Sequence, residues 1–335
     1  MKHVNIPIFI PHLGCPNNCV FCNQRTISGT VEFDIEKVND IIRGVIDTSA
    51  RCEREIAFFG GSFTGIDRGL MIKLLDTAQT YVASGEVSGI RMSTRPDYID
   101  DGIIGILKKY TVSQVELGIQ STCDRVLSAS GRGHDAKCAL EAIRKLKSAG
   151  FSVVGQMMIG LPRSTPEDEI KTADDLAEAG CDGARIYPTV VFKGTELDRM
   201  RERFEYVPLT LDDAVARSAS ALEVFVKAGI PCLRVGLCES ENLHSEETYS
   251  AGPNHAALGE LVMSRLYYNR LSSAFEGRDV RGRDVTVLCP RGATSKVVGN
   301  GGENRRKLQK EFGIKSVKTI EKDDLISYNI KVLFN

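Results

Sequence analysis

The sequence predicts an α/β fold in which parallel strands alternate with helices to form a partial barrel. Short apolar runs alternate with longer amphipathic ones, for example Ser152–Ile159 followed by Pro166–Ala179. Glycine follows the helical runs at Gly150, Gly180 and Gly229, as expected just beyond a helix C terminus. About six such units can be counted, fewer than a closed barrel requires. We therefore expect a partial (β/α)6 barrel of the TIM type, followed by a smaller α+β unit.

Each element of the barrel is predicted from hydrophobic periodicity. The predicted strands are Val4–Ile10, Glu55–Phe59, Gly89–Ser93, Val115–Ile119, Ser152–Ile159 and Gly183–Tyr187. The predicted helices are Ile35–Ile46, Leu70–Val82, Ile103–Lys109, Ala136–Ala149, Pro166–Ala179 and Leu211–Lys227, with a further helix from His255 to about Tyr268. Barrels of this kind carry their chemistry in the loops that follow the strands, so motifs at those positions are candidate site residues.

Composition limits the class of protein. The chain has 335 residues, 42% of them hydrophobic, which is enough for one large core and an appendage. Its ten cysteines are too irregularly spaced for a disulfide scaffold, and they favour a reducing compartment. Prolines at Pro7 and Pro11 interrupt the first apolar run, so we expect a cytoplasmic protein without membrane insertion. The predicted domains are residues 1–235, a helical connector 236–282, and 283–335.

The most specific motif is a cluster of three cysteines. Cys15, Cys19 and Cys22 have the spacing Cys-x3-Cys-x2-Cys, which lets three thiols converge on one metal centre. A structural zinc site needs four protein ligands, whereas a [4Fe–4S] cluster held by three cysteines leaves one iron open to a substrate. Two alternatives stay open: a zinc site completed by His3 or His12, and reduced thiols without a metal.

A glycine pair follows the second predicted strand. Gly60, Gly61 and Ser62 come directly after Phe59. Adjacent glycines at a strand end leave backbone groups accessible to a ligand that a side chain would exclude. The alternative is an ordinary turn between a strand and a loop.

The cysteine spacing, with Phe21 directly before the third cysteine, resembles that of the radical S-adenosylmethionine (SAM) superfamily. The resemblance implies a [4Fe–4S] cluster whose open iron is chelated by the amino and carboxylate groups of SAM. It also implies reductive cleavage of SAM to a 5′-deoxyadenosyl radical, with an electron donor such as flavodoxin or ferredoxin. The glycine pair at Gly60 and Gly61 would bind the SAM amino group.

Further motifs resemble, in order, the radical SAM domain of the catalytic subunit of Elongator, which modifies the wobble uridine of tRNA. They are Ser93–Tyr98, Glu116–Ser121, Arg132–His134, Tyr187–Val191 and Lys193–Thr195, within the first 235 residues. Elongator's own cysteine motif has a longer first gap. Its subunit also continues into an acetyltransferase domain, for which the roughly 100 residues after Val235 leave too little room.

The Elongator resemblance assigns the remaining barrel residues. Ser62, Thr94, Arg95, Gln120 and Arg132 would contact SAM or hold its pocket, and the backbone from Met158 through Gly160 to Leu161 would border the adenine. Tyr187 is a candidate catalytic residue, and Cys238 is a candidate thiol donor near a strand end. Other roles are available to these residue types, since an arginine often pairs with a carboxylate and a methionine often fills a core.

The C-terminal segment carries a second motif. Residues 283–335 contain eleven Lys or Arg against six Asp or Glu, a net charge of +5. Two helices, Ala293–Val298 and Glu303–Phe312, are predicted on either side of Gly299-Asn300-Gly301-Gly302, with Arg305 and Arg306 directly afterwards. Strands are predicted at Asp284–Cys289, Lys315–Ile320 and Tyr328–Leu333.

This order of elements resembles a reduced KH fold, whose Gly-x-x-Gly loop binds a nucleic-acid backbone. The alternative is a glycine-rich turn in a small packing domain. Together the two motifs predict a transferase that uses radical SAM chemistry to modify a nucleoside of tRNA or rRNA. Two rival functions stay open: radical chemistry on a small molecule such as a porphyrin precursor, with the C-terminal unit as a lid, or an iron–sulfur RNA-binding sensor.

Overall fold

A computed structural model describes residues 3–10, 13–15, 19–23, 33–49, 52–237 and 245–334 of the chain. The strands in these ranges are β1 (His3–Phe9), β2 (Glu53–Phe59), β3 (Gly89–Thr94), β4 (Val112–Gln120), β5 (Ser152–Ile159), β6 (Gly183–Pro188), β7 (Val191–Phe192), β8 (Cys232–Val235), β9 (Tyr249–Ala251), β10 (Asp284–Pro290), β11 (Ser316–Lys322) and β12 (Lys331–Phe334). The α-helices are α1 (Val38–Thr48), α2 (Arg68–Ala83), α3 (Asp101–Leu107), α4 (Asp124–Ala129), α5 (Ala136–Ser148), α6 (Pro166–Glu178), α7 (Glu196–Glu202), α8 (Leu211–Lys227), α9 (Leu258–Phe275), α10 (Thr294–Val298) and α11 (Glu303–Phe312).

Seven parallel strands form the main sheet, in the order β1-β2-β3-β4-β5-β6-β8. The order follows the chain, and each step is a crossover through a helix that packs on the outer side, so the sheet curls into an open barrel. This confirms the predicted α/β partial barrel. The strand β8 adds a seventh to the six that were counted from periodicity.

The helix predicted to begin at His255 is placed differently. It begins at Leu258 and continues to Phe275. His255 lies before the helix, where its Nδ1 accepts a hydrogen bond from the backbone N–H of Ala257 at 3.1 Å. The helix extends beyond Tyr268 because Leu271 and Phe275 are buried against the C-terminal unit.

The two faces of the barrel sheet differ in polarity because side chains alternate along a strand. The outer face packs against the helices and is apolar, as shown by Ile6, Ile56, Met92, Leu117 and Ile186, all fully buried. The positions between them point to the concave inner face. A polar set of side chains therefore lines the interior of the barrel, where the open rim gives a substrate access.

A chain of charged groups crosses this inner face over five neighbouring strands. Glu116 is only 1% exposed, and its carboxylate accepts hydrogen bonds from Arg91 at 3.2 Å, Arg185 at 2.9 Å and Gln156 at 3.1 Å. Arg91 also reaches Glu55 at 3.4 Å. Two buried cations thus share one central carboxylate.

The C-terminal unit, residues 284–334, is a three-stranded sheet with two helices. The order is β11-β10-β12, in which β10 is parallel to β11 and antiparallel to β12. The strand–helix–loop–helix–strand–strand sequence is the one expected, while the division of the chain at residues 235 and 283 stays a prediction. Across the described residues, no helix combines the length and apolar character needed to span a bilayer.

Replacing Glu116 by leucine is expected to destabilise the barrel by roughly 3 to 5 kcal/mol, because Arg91 and Arg185 would lose their shared buried counter-charge. Urea denaturation measures the change. The matched control is Glu53→Leu on the exposed start of β2, which should stay within about 0.5 kcal/mol of wild type. Equal stability of the two variants would show that the carboxylate does not hold the strands together.

Candidate active site

Two loops at the C-terminal ends of β1 and β2 interlock through their backbones. The N–H of Ser62 donates to the carbonyl of Leu13 at 2.9 Å. A Cβ atom on Gly61 would lie 2.4 Å from the oxygen of Leu13 and 2.5 Å from that of Ile10. No side chain fits in this space, so Gly61 is required where the two loops cross.

The same interlock fixes the first cysteine. Gly14 has φ +72°, and a Cβ atom there would lie 2.3 Å from the carbonyl oxygen of Ser62. A Cβ atom on Gly65 would in turn lie 2.7 Å from the oxygen of Gly14. Cys15 follows directly, with its Sγ 3.6 Å from the Oγ of buried Ser62. The predicted site residue Ser62 therefore lies beside a predicted cluster ligand.

A second set of contacts fixes Cys19. The Nη1 of Arg132 donates to its Sγ at 3.3 Å. The next residue, Val20, donates its N–H to the carbonyl of Ser130 at 3.1 Å and accepts from the N–H of Leu197 at 2.8 Å. Beyond the interlock after β1 and β2, the cysteine loop is thus attached to the segment after α4 and to the first turn of α7.

The third cysteine completes a turn. The N–H of Cys22 donates to the carbonyl of Cys19 at 3.0 Å. Phe21, between them, packs with Val191 and Leu197 in a small apolar cluster. The aromatic residue that precedes the third cysteine therefore helps to seat the loop on the barrel.

The donor set fits an iron–sulfur cluster better than closed zinc coordination. Within the described ranges, no three His, Cys, Asp or Glu side chains form a group that holds a single ion. His3 lies at the opposite end of β1, where its Nε2 is 2.7 Å from Glu55, and so does not complete a zinc site. His12 lies outside the described residues. Cysteine sulfurs beside guanidinium groups suit a cluster that carries negative charge.

Arg95 supplies the second buried guanidinium of the rim. It donates two hydrogen bonds to Asp97, both 2.9 Å, and a third to the carbonyl of Arg132 at 2.5 Å. Burial opposes its charge, but the bonds to Asp97 and the nearby thiols of Cys19 and Cys15 outweigh burial and raise the pKa of Arg95 above its usual value. Asp97 was not among the predicted site residues, although it stands two positions from Arg95.

Gln120 ends β4 in a strained conformation. Its φ is +72°, unusual for a residue other than glycine. Its Oε1 is buried without a hydrogen-bond partner within the described structure. Gly118 makes room for it, since a Cβ atom there would lie 2.9 Å from the Nε2 of Gln120 and 3.4 Å from Arg132. A strained backbone and an unsatisfied amide oxygen on the rim favour a ligand-binding role.

Thr94 contacts Thr64, which was not among the predicted site residues. Thr64 Oγ1 donates to the carbonyl of Tyr98 at 3.0 Å, and Thr94 Oγ1 lies 2.6 Å from Thr64 Oγ1. The hydroxyl of Thr94 is therefore the donor of that second bond, which joins β3 to the loop after β2. Its predicted contact with SAM stays a prediction.

The other predicted residues lie at the ends of β5 and β6. Met158 and Tyr187 are register neighbours, half-buried on the inner face. Gly160 has φ +77°, and its N–H donates to Glu169 at 2.7 Å. Cys238 lies outside the described residues. The rim therefore assembles most of the predicted barrel site: Cys15, Cys19, Cys22, Gly60, Gly61, Ser62, Thr94, Arg95, Gln120, Arg132, Met158, Gly160 and Tyr187.

His134 lies behind this rim. It is 9% exposed, and its Nδ1 lies 3.3 Å from the carbonyl of Asp135. Its Nε2 has no hydrogen-bond partner in the described part of the chain. Burial, assisted by the charge of Arg132, lowers the pKa of His134 to about 4. The ring is therefore neutral at physiological pH.

The glycine loop of the C-terminal unit has a structural and an exposed half. Gly299 has φ +82°, and a Cβ atom there would lie 2.6 Å from the backbone nitrogen of Asn304. Packing alone therefore requires this glycine. Asn300 and Gly301 are exposed, so the loop presents its backbone to solvent.

Two arginines adjoin the exposed half of the loop. Arg306 Nη1 donates to the carbonyl of Gly301. A Cβ atom on Gly302 would lie 3.4 Å from Arg306 Nη1 and 3.6 Å from Arg305 Nη2. Both guanidinium groups are on the surface, which makes the loop electropositive.

An open parallel barrel with three thiols at the C-terminal ends of its strands defines a class of enzymes that use radical SAM chemistry. Residues 9–206 match the radical SAM superfamily, and residues 181–268 match the radical SAM C-terminal domain. The first match covers more than half of the chain. The protein belongs to the radical SAM superfamily, as the cysteine motif predicted, and its cofactors are the [4Fe–4S] cluster and SAM.

Several relatives share the barrel. The chain is 29% identical over 225 residues to the uncharacterized protein MJ0486 of Methanocaldococcus jannaschii, which covers 63% of this chain and 68% of that protein. It is 30% identical over 210 residues to Elongator complex protein 3 of Danio rerio, covering 59% of this chain but only 35% of that protein. The solved structure of archaeal Elp3 from Methanocaldococcus infernus superposes with a TM-score of 0.61 at 20% identity, over 81% of this chain and 63% of that one, and supports the fold.

Gly61→Ala is expected to lower the iron content of anaerobically purified protein at least fivefold, because the new Cβ atom collides with the two carbonyls that precede the cysteine loop. Gly44→Ala, in the middle of α1 with no atom within 4 Å of the added carbon, is the matched control and should retain iron. Iron and sulfide assays of the two purified variants measure how much cluster each one retains. Full iron in the Gly61→Ala protein would show that the interlock does not hold the cysteine loop.

Acidification should destabilise the protein through His134. Its folded pKa of about 4 lies below the unfolded value of about 6.5, so stability is full above pH 6.5 and is lost as pH falls toward 4. Between pH 8 and pH 5 the loss amounts to about 2 kcal/mol. Urea denaturation measures the free energy of unfolding at the two pH values. In His134→Gln the decrease in that free energy from pH 8 to pH 5 should be about 2 kcal/mol smaller than in wild type. Identical pH profiles for the two proteins would contradict a buried neutral imidazole.

Proposed function

We propose that the protein is a radical SAM enzyme that modifies a nucleoside of RNA, with tRNA or rRNA as the substrate, and that it is a transferase. The choice of RNA as the substrate rests mainly on the exposed backbone of Asn300 and Gly301, which lies beside Arg305 and Arg306. Backbone N–H groups at a helix start, together with cations, bind phosphate without reading sequence. The +5 charge of residues 283–335 supports the same partner.

The positions of the barrel residues support a separate role for each of them. Cys15, Cys19 and Cys22 would hold the cluster, which together with bound SAM supplies a 5′-deoxyadenosyl radical. Arg132, which contacts the Sγ of Cys19 at 3.3 Å, would stabilise the thiolate charge at the buried side of the loop. The unsatisfied amide oxygen of Gln120 offers an acceptor to a polar group of the ligand.

The motifs shared with the Elongator catalytic subunit support an RNA substrate, because that enzyme modifies tRNA. The match to Elongator complex protein 3 spans about a third of that protein, so an acetyl-CoA-dependent step is not part of the proposal. The electron for SAM cleavage would come from a small redox protein such as flavodoxin or ferredoxin, in a cytoplasmic setting.

Two rival functions make different predictions. Chemistry on a small molecule requires no RNA affinity, and an iron–sulfur sensor requires no cleavage of SAM. Reduced holoprotein that forms 5′-deoxyadenosine and binds RNA with strong salt dependence fits only the proposed function.

The double variant Asn300→Asp with Gly301→Asp should lower the affinity of holoprotein for RNA at least tenfold, because two carboxylates would occupy the phosphate position. Each like charge at close range costs on the order of 1 kcal/mol or more. Binding is measured at two salt concentrations, with 5′-deoxyadenosine formation as the check that the barrel remains active.

The matched control carries the same two residue types at exposed positions: Asn269→Asp in the C-terminal half of α9 and Gly277→Asp just beyond the helix. Gly277 shares the positive φ of Gly301, and the control has the same net charge. If both double variants bind RNA with equal affinity, the loop does not contribute to RNA binding. RNA binding that does not depend on salt concentration would favour the small-molecule function.

A further inference from the structure

A buried tyrosine between α7 and α8 forms a hydrogen bond with the backbone that follows β5. Tyr206 is 7% exposed, and its hydroxyl donates to the carbonyl of Gly160 at 2.7 Å. Burial raises the pKa of Tyr206, so the phenol keeps the proton that it donates. Tyr206 thus fixes the carbonyl of a residue at the C-terminal end of a barrel strand.

The ring of the same tyrosine belongs to the packing around the cysteine loop. Tyr206, Val191 and Leu197 form a small buried apolar cluster, and Val20 and Phe21 pack against it. The N–H of Leu197 also donates to the carbonyl of Val20 at 2.8 Å. Val20 and Phe21 are the two residues between the second and third cysteines. Tyr206 therefore connects the cysteine loop after β1 with the end of β5, four strands along the sheet.

The peptide that Tyr206 contacts is also held by a buried ion pair. The N–H of Gly160 donates to Oε1 of Glu169 at 2.7 Å. Glu169 is 3% exposed, and Arg217 on α8 donates to its two carboxylate oxygens at 2.7 Å and 2.5 Å. A Cβ atom on Gly160 would lie 2.6 Å from Cδ1 of Leu209, so the segment after Tyr206 covers this glycine. The N–H and the carbonyl of Gly160 both have partners, which gives the end of β5 one position.

Backbone strain lies on both sides of the contact between Gly160 and Tyr206. Arg163 follows Gly160 by three residues and has φ +63°, and Phe204 precedes Tyr206 by two residues and has φ +60°. Within the described ranges, they are two of the four non-glycine residues with positive φ. Such conformations cost free energy and are concentrated at functional sites, where the surrounding structure holds them. The strain therefore supports a functional role for this contact.

We propose that Tyr206 is a positioning residue for SAM, because it fixes the end of β5 relative to the loop that holds the cluster. Barrels of this type bind their ligands at the C-terminal ends of the strands, so SAM at the cluster would contact both parts of the rim. A pocket whose two sides are already fixed loses less conformational freedom when the ligand binds. SAM is the cofactor whichever substrate is modified, so this role does not depend on RNA binding.

Tyr206→Phe removes the hydroxyl and keeps the ring, so the variant should fold and load iron like wild type. The dissociation constant of SAM should rise about fivefold or more, because the carbonyl of Gly160 loses the bond that holds it. Anaerobic equilibrium dialysis of oxidised holoprotein with radiolabelled SAM measures this constant without turnover.

The matched control is Tyr81→Phe, which makes the same chemical change at another buried hydroxyl. Tyr81 is 6% exposed, and its hydroxyl donates to Asn39 at 3.1 Å between the outer helices α1 and α2. The dissociation constant of SAM should change less than about twofold in this variant, because the lost bond does not involve the rim.

Electron paramagnetic resonance of the reduced cluster gives a second readout. Without SAM, Tyr206→Phe and wild type should have the same spectrum, since all three cysteines are unchanged. The SAM concentration that half-converts the spectrum should rise about fivefold in Tyr206→Phe and stay within about twofold of wild type in Tyr81→Phe.

Full iron content, an unchanged spectrum without SAM and weaker SAM binding only in Tyr206→Phe would support the positioning role. Equal SAM affinity in the two variants would overturn it, because Tyr206 would then contribute to stability alone. Loss of iron from Tyr206→Phe would also overturn it, because the hydroxyl would then be needed for cluster assembly. None of these results bears on RNA binding by the C-terminal unit, so the proposed function is tested separately.

Discussion

The interlock of two backbone loops at the edge of the barrel is the constraint on which the site depends. The turn after β2 and the loop after β1 approach so closely that Gly14, Gly61 and Gly65 have no room for a Cβ atom. β1 is an edge strand of the sheet, so a loop at its end has neighbours on one side only. A crossing of glycine backbones gives the cysteine loop a fixed origin that side-chain packing at an edge would not supply.

The remaining rim organises charge around that loop. The guanidinium groups of Arg95 and Arg132 are buried close to the thiols. Asp97 forms an ion pair with Arg95. Below them, Glu116 holds Arg91 and Arg185, so the charged groups at the centre of the inner face are paired with one another. Arg91 and Glu116 are buried, and electrostatic interactions between buried groups are stronger than in water. A lining of buried, paired charges suits reactive intermediates that must be kept from solvent.

The sequence predicted the parallel architecture well because the barrel strands are buried on their outer face and the helices that were predicted between them have an apolar side. Spacing alone predicted Cys15, Cys19 and Cys22 as the cluster ligands. What escaped prediction was long-range contact: that Gly61 opposes the carbonyls of Ile10 and Leu13, or that Arg132 reaches a cysteine 113 positions away. The helix α9 was misplaced because it is apolar on two faces, which obscures the helical period. Gly299 illustrates a second limit of sequence analysis. Close packing against Asn304 requires glycine at this position, and a nucleic-acid-binding loop would require the same residue, so the sequence does not distinguish the two causes.

The central proposal joins the radical chemistry of the barrel to RNA binding by the C-terminal unit. The most direct test is mass spectrometry of nucleosides from total RNA of cells with and without the gene, complemented by wild type or by Cys19→Ser. The account predicts one modified nucleoside that disappears without the gene, returns with wild type and does not return with Cys19→Ser. Identical nucleoside profiles in all four samples would contradict it.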